Sequence, residues 1–264
     1  MEQRPLGQTR ELPMRARGNW QGMWTIVRFN WPFYLAALVI LIFASIGILW
    51  ASSLLVKWSG SIAVMGSLYF LIGSLGVSHQ VYDRSDLYRW AWLKRALDGI
   101  DVNCAIFCHS GFDETSQDFR ERFADVDWFI LDHYDQEKMT EASIQRARKM
   151  YPPTKDTLPA AYDQWPVATD TADVVFGLLA IHELRSEVER AAWFTEAKRC
   201  LKSDGRVVLA EHTRDFANFL AFGPGFLHFH SRASWRRCWE QIGFRCTDEF
   251  TVTPWVRIFV ISKS

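Results

Sequence analysis

The hydrophobic and polar positions divide the chain into an apolar N-terminal third and a longer part with mixed patterns. Residues 31–56 include no charged side chain, and residues 61–78 include none either. About 20 apolar residues are enough to span a bilayer, so both runs are predicted to be transmembrane helices. The turn at 57–60 joins them, and the glycines of the second run allow close helix packing. The pattern therefore predicts a transmembrane helical hairpin over residues 31–78.

The charges that flank this hairpin predict its orientation. Residues 1–30 form a basic segment with five arginines against two glutamates, and basic side chains are also frequent in residues 79–99. Lys57 is the only charge between the two runs. Because cytoplasmic flanks carry the excess of Lys and Arg, both termini are predicted to be cytosolic, in a two-span protein of the cell inner membrane. The aromatic residues of 79–99 are typical of the headgroup level, which predicts a juxtamembrane helix there.

Short apolar strands alternate with amphipathic helices in the remaining residues, 100–264. The run Asp173-Val-Val-Phe176 is typical of a buried strand, and helical spacing of apolar residues extends over 185–201. A second apolar strand at 206–210 follows a Lys-Ser-Asp-Gly turn, in which Gly205 suits a helix C-terminus. Strand, helix, strand units of this kind build parallel sheets. Residues 100–264 are therefore predicted to form an α/β domain with a mostly parallel sheet.

Charge and cysteine content argue against two classes of function. The chain has 30 basic and 30 acidic side chains, whereas a nucleic-acid surface needs an excess of Lys and Arg, so no nucleic-acid partner is expected. The five cysteines include no C-x-x-C pair, and the closest two are Cys104 and Cys108. Reduced, buried thiols are therefore expected, and the sequence predicts no metal site.

The order and spacing of several motifs resemble one enzyme family. The string D-V-V-F…I-H-E-L…E-A-K-R-C-L-K-S-D-G-R-V-V-L-A-E is similar to the second half of a class I S-adenosylmethionine-dependent methyltransferase. Asp173 matches the acidic start of the family's fourth strand. The turn that ends at Gly205 matches its L-K-P-G-G turn, with Ser-Asp in place of Pro-Gly. The resemblance extends from about Leu93 to the C-terminus. It implies a Rossmann-like methyltransferase domain and S-adenosylmethionine as the cofactor.

The same resemblance implies which residues bind the cofactor. The family's glycine-rich loop, D-x-G-x-G-x-G, falls on the string H-S-G-F-D, in which Gly111 is the one remaining glycine and Asp113 replaces another. The family's ribose-binding acid falls on Asp132; a carboxylate can accept two hydrogen bonds from a vicinal diol, and the alternative role is to cap the next helix. The adenine-binding acid falls on Ala161, with Asp163 two residues on as a substitute. The predicted cofactor-binding residues are therefore Gly111, Asp113, Asp132 and Asp163.

Two histidines are predicted to be catalytic because they follow strands at the edge where open α/β sheets bind ligands. His182 follows the fourth strand and either acts as a general base or caps the next helix. His212 follows Glu211 at the end of the fifth strand. The aromatic stretch after it, which contains His228 and His230, occupies the place where family members cover the acceptor. Beside a membrane hairpin, this stretch favours a lipophilic small-molecule substrate or contact with the lipid bilayer.

Two functions agree with these features. The first is a membrane-anchored S-adenosylmethionine-dependent methyltransferase that acts on a lipophilic small molecule. The second is a non-catalytic, methyltransferase-like accessory subunit of a membrane protein complex, because the glycine-rich loop has lost two glycines and a fold does not fix a function. Binding of S-adenosylmethionine separates the two.

Overall fold

The structure, a computed structural model, describes residues 17–264, so most of the predicted basic N-terminal segment lies outside the described residues. A helical hairpin precedes an α/β domain. The helices are α1 (Gln21–Trp50), α2 (Leu54–His79), α3 (Leu93–Ala96), α4 (Ser116–Arg122), α5 (Ala142–Met150), α6 (Glu187–Cys200), α7 (Phe216–Phe222) and α8 (Arg232–Glu240). The strands are β1 (Cys104–His109), β2 (Asp127–Asp132), β3 (Thr157–Pro159), β4 (Ala172–Leu178), β5 (Leu201–His212), β6 (Phe244–Thr253) and β7 (Val256–Lys263).

The two helices of the hairpin are long and apolar enough to cross a membrane, by length and composition. α1 covers 30 residues and begins before the predicted span. Asn30 leaves the helical conformation, with φ −116° and ψ 17°, two residues before Pro32. Because proline removes a helical hydrogen bond and crowds the preceding turn, the helix kinks there. The apolar part of α1 therefore follows the kink, which is where the sequence predicts the span to begin.

The prediction of a single juxtamembrane helix over 79–99 is wrong, because the structure has three short helical segments there. A π-helical turn, Gln80–Arg84, continues α2, and a 3₁₀ turn, Leu87–Arg89, precedes α3. Trp90 separates the last two pieces with a left-handed φ of 63°, which a continuous α-helix does not allow. Trp90 and Trp92 are both buried in the core of the α/β domain. These aromatic rings therefore anchor the segment to the domain.

Seven strands form one sheet in the order β3-β2-β1-β4-β5-β7-β6. The strands β1 to β5 are parallel, and β7 runs antiparallel to β5 and β6. All six residues of β1 are buried, as expected of a parallel strand covered on both faces. Successive residues of β1 pack into two different hydrophobic clusters. Ile106 belongs to the cluster that contains Trp193, and Phe107 belongs to the cluster that contains Phe119. The predicted α/β fold with a mostly parallel sheet is confirmed.

The turn predicted at Gly205 is instead part of a strand. β5 begins at Leu201, directly after α6, and runs through Gly205. A side chain at Gly205 has no space, since its Cβ would lie 2.8 Å from Cδ2 of Leu201 and 3.1 Å from the carbonyl oxygen of Asp173. The Asp173 carboxylate accepts hydrogen bonds from the backbone N–H groups of Asn103 and Cys104 at 2.8 and 2.9 Å. It thereby ties the start of β1 to β4.

The hairpin packs on the edge of the sheet where the parallel strands end. Asp83 accepts hydrogen bonds from the backbone N–H groups of Gly22 at 2.6 Å and Met23 at 3.0 Å, at the start of α1. Phe29 of α1 packs edge-on against Phe112, just after β1, with ring centroids 5.1 Å apart. On the other side, α2 contacts α7, which follows β5. The carboxyl ends of β1 and β5 therefore lie near the base of the hairpin.

Candidate active site

The carboxyl ends of β1 and β2 meet in a cleft built around one carboxylate. Asp132 ends β2, and its side chain is only 5% exposed. Its Oδ1 accepts hydrogen bonds from the backbone N–H groups of Gly111 and Tyr134, both at 3.0 Å. Its Oδ2 accepts one from Nη1 of Arg148 at 2.6 Å. The structure therefore brings Gly111 and Asp132 together, as the sequence predicts, and adds an arginine that the sequence analysis missed.

The side chain of Tyr134 fills the space next to Gly111. Gly111 has a φ of 86°, and a Cβ at this position would lie 2.6 Å from Cδ2 of Tyr134. The guanidinium of Arg148 lies over the Tyr134 ring, 4.3 Å from its centroid, an arrangement that favours cation–π attraction. The position of Tyr134, two residues beyond the strand-end acid, is a signal that sequence reasoning overlooked. Nothing in the sequence points to Arg148.

His109 stands where the family has its first glycine, and its ring is buried between two carboxylates. Its Nδ1 is 3.5 Å from Oδ1 of Asp132, and its Nε2 is 4.0 Å from Oδ2 of Asp113. Within residues 17–264, neither ring nitrogen has a hydrogen-bond partner. Burial lowers the pKa of His109 against the opposing effect of the two carboxylates, so the ring is neutral at pH 7. Buried polar atoms normally find partners, and a ligand in the cleft can provide them.

The other two predicted cofactor ligands have different surroundings. Oδ1 of Asp113 accepts hydrogen bonds from the backbone N–H groups of Thr115 at 3.1 Å and Ser116 at 2.9 Å, and Oδ2 accepts one from the Ser116 hydroxyl. Its carboxylate therefore caps the start of α4. Asp163 is exposed in a turn after β3. Cofactor binding by Asp113 and by Asp163 therefore stays a prediction. To bind the cofactor, the Asp113 carboxylate must first release the backbone N–H groups at the start of α4.

His182 is held by a buried carboxylate from the next strand. Its Nδ1 lies 2.6 Å from Oε2 of Glu211, and Oε1 of Glu211 accepts hydrogen bonds from the backbone N–H groups of Ile181 and His182 at 2.9 and 3.2 Å. Glu211 is fully buried. Burial alone lowers the pKa of His182, but the Glu211 carboxylate outweighs it and raises the pKa above the ordinary value. Nδ1 therefore carries the proton that Glu211 accepts, and Nε2 is the nitrogen left for chemistry.

His212 links the segment after α2 to the sheet. Its Nδ1 lies 2.8 Å from the carbonyl oxygen of Trp255 and 3.2 Å from Oδ1 of Asn218, so Nδ1 is the donor. Its Nε2 then accepts the hydroxyl proton of Tyr82 at 2.9 Å. Burial lowers the pKa of His212 to about 4. The catalytic role of His212 stays a prediction, and it requires the Tyr82 hydroxyl to move.

The aromatic stretch after β5 forms α7 and a 3₁₀ turn, Gly223–His228, and covers both histidines. Phe229 stacks on His212 with ring centroids 4.8 Å apart and packs edge-on against His182 at 5.9 Å. The Tyr69 hydroxyl of α2 donates a hydrogen bond to the carbonyl oxygen of Leu220. The two predicted catalytic histidines thus share one aromatic wall, and this wall is attached to the hairpin.

The strand order, with an acidic residue ending β2, points to one class of enzyme, and comparisons with known proteins agree. A family model described as a methyltransferase domain matches residues 135–209. No curated protein matches the sequence. The structure of the mitomycin 7-O-methyltransferase MmcR is similar over 94% of this chain and 74% of its own, with a TM-score of 0.52 and 15% identity. An S-adenosylmethionine-dependent methyltransferase from Aquifex aeolicus matches over 67% of this chain and 89% of its own, with a TM-score of 0.47 and 16% identity.

The α/β domain is therefore a class I methyltransferase domain with a Rossmann-like fold. Residues 135–209 of the chain match a methyltransferase domain, which confirms the family resemblance, and this domain implies S-adenosylmethionine as the cofactor.

The cleft fits this cofactor on one side and is closed to it on the other. The Asp132 carboxylate has the acceptor atoms that a ribose diol needs, and the unpartnered nitrogens of His109 lie beside it. The Tyr134 ring, however, occupies the space next to Gly111, and Arg148 holds one oxygen of Asp132. Cofactor binding therefore requires Tyr134 to turn away and Arg148 to release Asp132.

Proposed function

We propose that the protein is a membrane-anchored methyltransferase that acts on a lipophilic small molecule. The observation that carries this proposal is a convergence at one edge of the sheet. The apolar hairpin, the aromatic stretch after β5 and the strand ends with Asp132 and His182 all meet there. An acceptor dissolved in the bilayer therefore reaches this edge without crossing the aqueous phase.

The outer surface of the hairpin supports membrane anchoring. Large apolar side chains along α1 and α2 are at least two-thirds exposed, which is unusual for a protein surface in water; examples are Phe43, Leu49, Trp50, Leu54, Leu55, Ile62 and Ile72. Both helices pack mainly on each other. Burial of these side chains in lipid is the arrangement that removes them from water.

The groove between α1 and α5 has the composition of a membrane–water interface. It is lined by tryptophans and basic side chains, namely Trp24, Arg28, Trp31, Arg146 and Lys149. Tryptophan is enriched at the headgroup level, and Lys and Arg near the surface are attracted to anionic lipids. The kink at Asn30 lies between two residues that line this groove, Arg28 and Trp31. We therefore infer that the cytoplasmic interface of the membrane lies at this point of α1.

The aromatic stretch after β5 offers an entrance for the acceptor. Phe216 is 72% exposed, and Phe219, Leu220 and Leu227 are also exposed. This apolar surface continues onto α2 through the hydrogen bond between Tyr69 and Leu220. Phe229 lies on the inner side of the same stretch, against His182. The stretch therefore leads from the bilayer side to the predicted catalytic residues.

The residues of this chain have two tasks in methyl transfer. When bound, S-adenosylmethionine would supply an electrophilic methyl group, and Asp132 would hold its ribose and so fix its position relative to the acceptor. Positioning of this kind supplies most of the rate gain in a direct displacement. Where the acceptor is a weakly acidic hydroxyl, Nε2 of His182 takes its proton, and the Glu211 carboxylate stabilises the resulting imidazolium.

Methyl transfer to membrane extracts tests this function. The purified full-length chain in lipid nanodiscs is incubated with methyl-tritiated S-adenosylmethionine and organic extracts of membranes. We expect label in the lipophilic fraction, and much less with Asp132→Asn. The exposed Asp156→Asn serves as a control that leaves transfer unchanged, because Asp156 pairs with Arg120 alone among residues 17–264, and it does so at the surface. Label confined to water-soluble products contradicts a lipophilic acceptor.

A second candidate function, a non-catalytic accessory subunit, is favoured by one observation. Tyr134 and Arg148 fill the place of the cofactor beside Gly111 and Asp132. If these side chains stay in place at millimolar S-adenosylmethionine, the domain serves as a structural module of a membrane complex.

A further inference from the structure

Three potential metal ligands converge next to the aromatic stretch. One ring nitrogen of His182, a carboxylate oxygen of Glu183 and one ring nitrogen of His228 lie within 4.8 Å of one another. Oε1 of Glu183 is 3.6 Å from Nε2 of His182 and 3.3 Å from Nε2 of His228. With bonds of about 2.0–2.2 Å and tetrahedral angles, neighbouring ligands of a metal are about 3.3–3.6 Å apart. The two distances from Glu183 therefore already match the spacing of neighbouring ligands in a coordination shell.

The surroundings of His182 orient it as a ligand. Nδ1 of His182 donates to the buried Glu211 carboxylate at 2.6 Å, which leaves the lone pair of Nε2 directed towards Glu183. A carboxylate behind a histidine is the usual support of a metal-binding imidazole, because it fixes the tautomer and raises the basicity of the ring. Nη1 of Arg185 also donates to the carbonyl oxygens of His182 and His228, at 3.3 and 2.5 Å. These contacts hold the backbone of both histidines.

Glu183 has an oxygen that the protein leaves without a partner. Its side chain is 12% exposed, and among the described residues Oε2 is buried and accepts no hydrogen bond. An unsatisfied buried oxygen of a charged group is costly. A bound cation gives this oxygen a partner.

We propose that His182, Glu183 and His228 bind one divalent transition-metal ion of the zinc type. Two imidazole nitrogens and one carboxylate suit zinc, cobalt, manganese or ferrous iron, whereas magnesium and calcium prefer oxygen ligands. Three protein ligands leave at least one coordination position open. His228, whose side chain is 30% exposed, lies on the accessible side of the cluster.

The open position gives the metal a role towards the acceptor, and this role rests on the proposed function. Phe229 packs against both His182 and His228, with ring centroids 5.9 and 6.2 Å away, so the metal borders the aromatic wall. A metal there binds an oxygen atom of the acceptor and lowers the pKa of a hydroxyl, whose proton passes to water. His182 is then a ligand, and the metal replaces it as the group that activates the acceptor.

Metal titration of the full-length chain tests the site without cofactor or acceptor. The protein is purified in detergent without a histidine tag, stripped with EDTA and titrated with Zn²⁺ by calorimetry and with Co²⁺ by visible absorption. We expect one tight equivalent and a rise in melting temperature with Zn²⁺. Glu183→Gln, which keeps the volume and a hydrogen-bonding oxygen, and His228→Ala each weaken binding at least tenfold. His79→Ala, a histidine outside the cluster, leaves binding unchanged.

Two outcomes overturn the metal site. One is the absence of saturable binding by the wild type. The other is equal binding by the wild type, Glu183→Gln and His228→Ala, which shows adventitious metal only. Neither outcome bears on S-adenosylmethionine binding, so failure of the metal site and failure of the proposed function are distinguishable. A hydrogen bond from Nε2 of His228 to Oε1 of Glu183, 3.3 Å away, then accounts for their contact.

Discussion

At the scale of single residues, the strand-end acid and the glycine beside it are tied together more closely than the sequence suggests. Gly111 has a positive φ and donates its N–H to Asp132. Valine at Gly111 therefore strains the backbone and collides with Tyr134, so such a variant loses stability as well as any cofactor binding. Asparagine at Asp132 is the milder change, because Oδ1 remains as an acceptor for Gly111 and Tyr134.

Asp132→Asn is expected to weaken S-adenosylmethionine binding at least tenfold. Loss of a charged acceptor costs about 1.5–3 kcal/mol, and each 1.4 kcal/mol is about a factor of ten. The loss of the ion pair with Arg148 also lowers the melting temperature slightly. Calorimetric titration and thermal unfolding of the full-length chain measure both effects, with Asp156→Asn as the control. Equal affinity of the folded variant and the wild type contradicts a role for Asp132 in ribose binding.

The stability of the fold is expected to fall in acid partly because of His212. Its pKa is about 4 in the folded chain and about 6.5 when unfolded. The neutral ring thus contributes stability above about pH 6.5, and this contribution is lost as the pH falls towards 4. His133, with a pKa lowered by burial to about 4, acts in the same direction. Between pH 7.5 and 4.5, the melting temperature of His212→Gln should fall less than that of the wild type. An equal fall in melting temperature for the two proteins contradicts this role of His212.

At the scale of elements, the sequence predicts most of the strands but not their exact ends or the breaks between helices. Buried apolar runs such as Cys104–His109 and Ala172–Leu178 are strong signals because both faces of a parallel strand are covered. The prediction of a turn at Gly205 is wrong because the glycine is needed there for close packing against Leu201 within a strand. The segment 79–99 has helical periodicity, but burial of Trp90 and Trp92 overrides it. Contacts between distant segments decide such cases.

The cap of α1 is a contact of this kind, and its removal is expected to loosen α1 from the turn that continues α2. The Asp83 side chain is fully buried and accepts two backbone N–H groups at the start of α1. Loss of such a cap costs about 1–2 kcal/mol, so Asp83→Ala should lower the melting temperature clearly. Asp86→Ala is the matched control, since the Asp86 side chain is 63% exposed. Equal melting temperatures of the two variants contradict the cap.

At the scale of the whole molecule, the sequence predicts the division into a hairpin and a methyltransferase domain, but not how the two meet. Hydrophobicity alone reveals the hairpin, and motif order reveals the domain. The contacts of Phe29 with Phe112 and of Tyr69 with Leu220 join residues 83 and 151 positions apart, which no local pattern encodes. The filling of the cleft by Tyr134 and Arg148 escaped sequence analysis for the same reason.

The orientation of the hairpin is testable by accessibility in intact cells. The charge asymmetry predicts that Lys57 is outside and Ser264 is in the cytosol. Four of the five native cysteines are buried and the fifth is half-buried, so little labelling of the native cysteines by a thiol reagent is expected. A membrane-impermeant maleimide should label Lys57→Cys in intact cells and Ser264→Cys only after lysis. The reverse pattern contradicts the proposed topology.

The central claim is that this chain binds S-adenosylmethionine at the end of β2 even though its own side chains close the cleft. Calorimetric titration of S-adenosylmethionine into the full-length chain tests it most directly, with Tyr134→Ala as a comparison. We expect saturable binding of one equivalent by the wild type and tighter binding by Tyr134→Ala, because the side chain beside Gly111 no longer has to move. No binding by either protein at millimolar cofactor contradicts the claim and favours the accessory subunit.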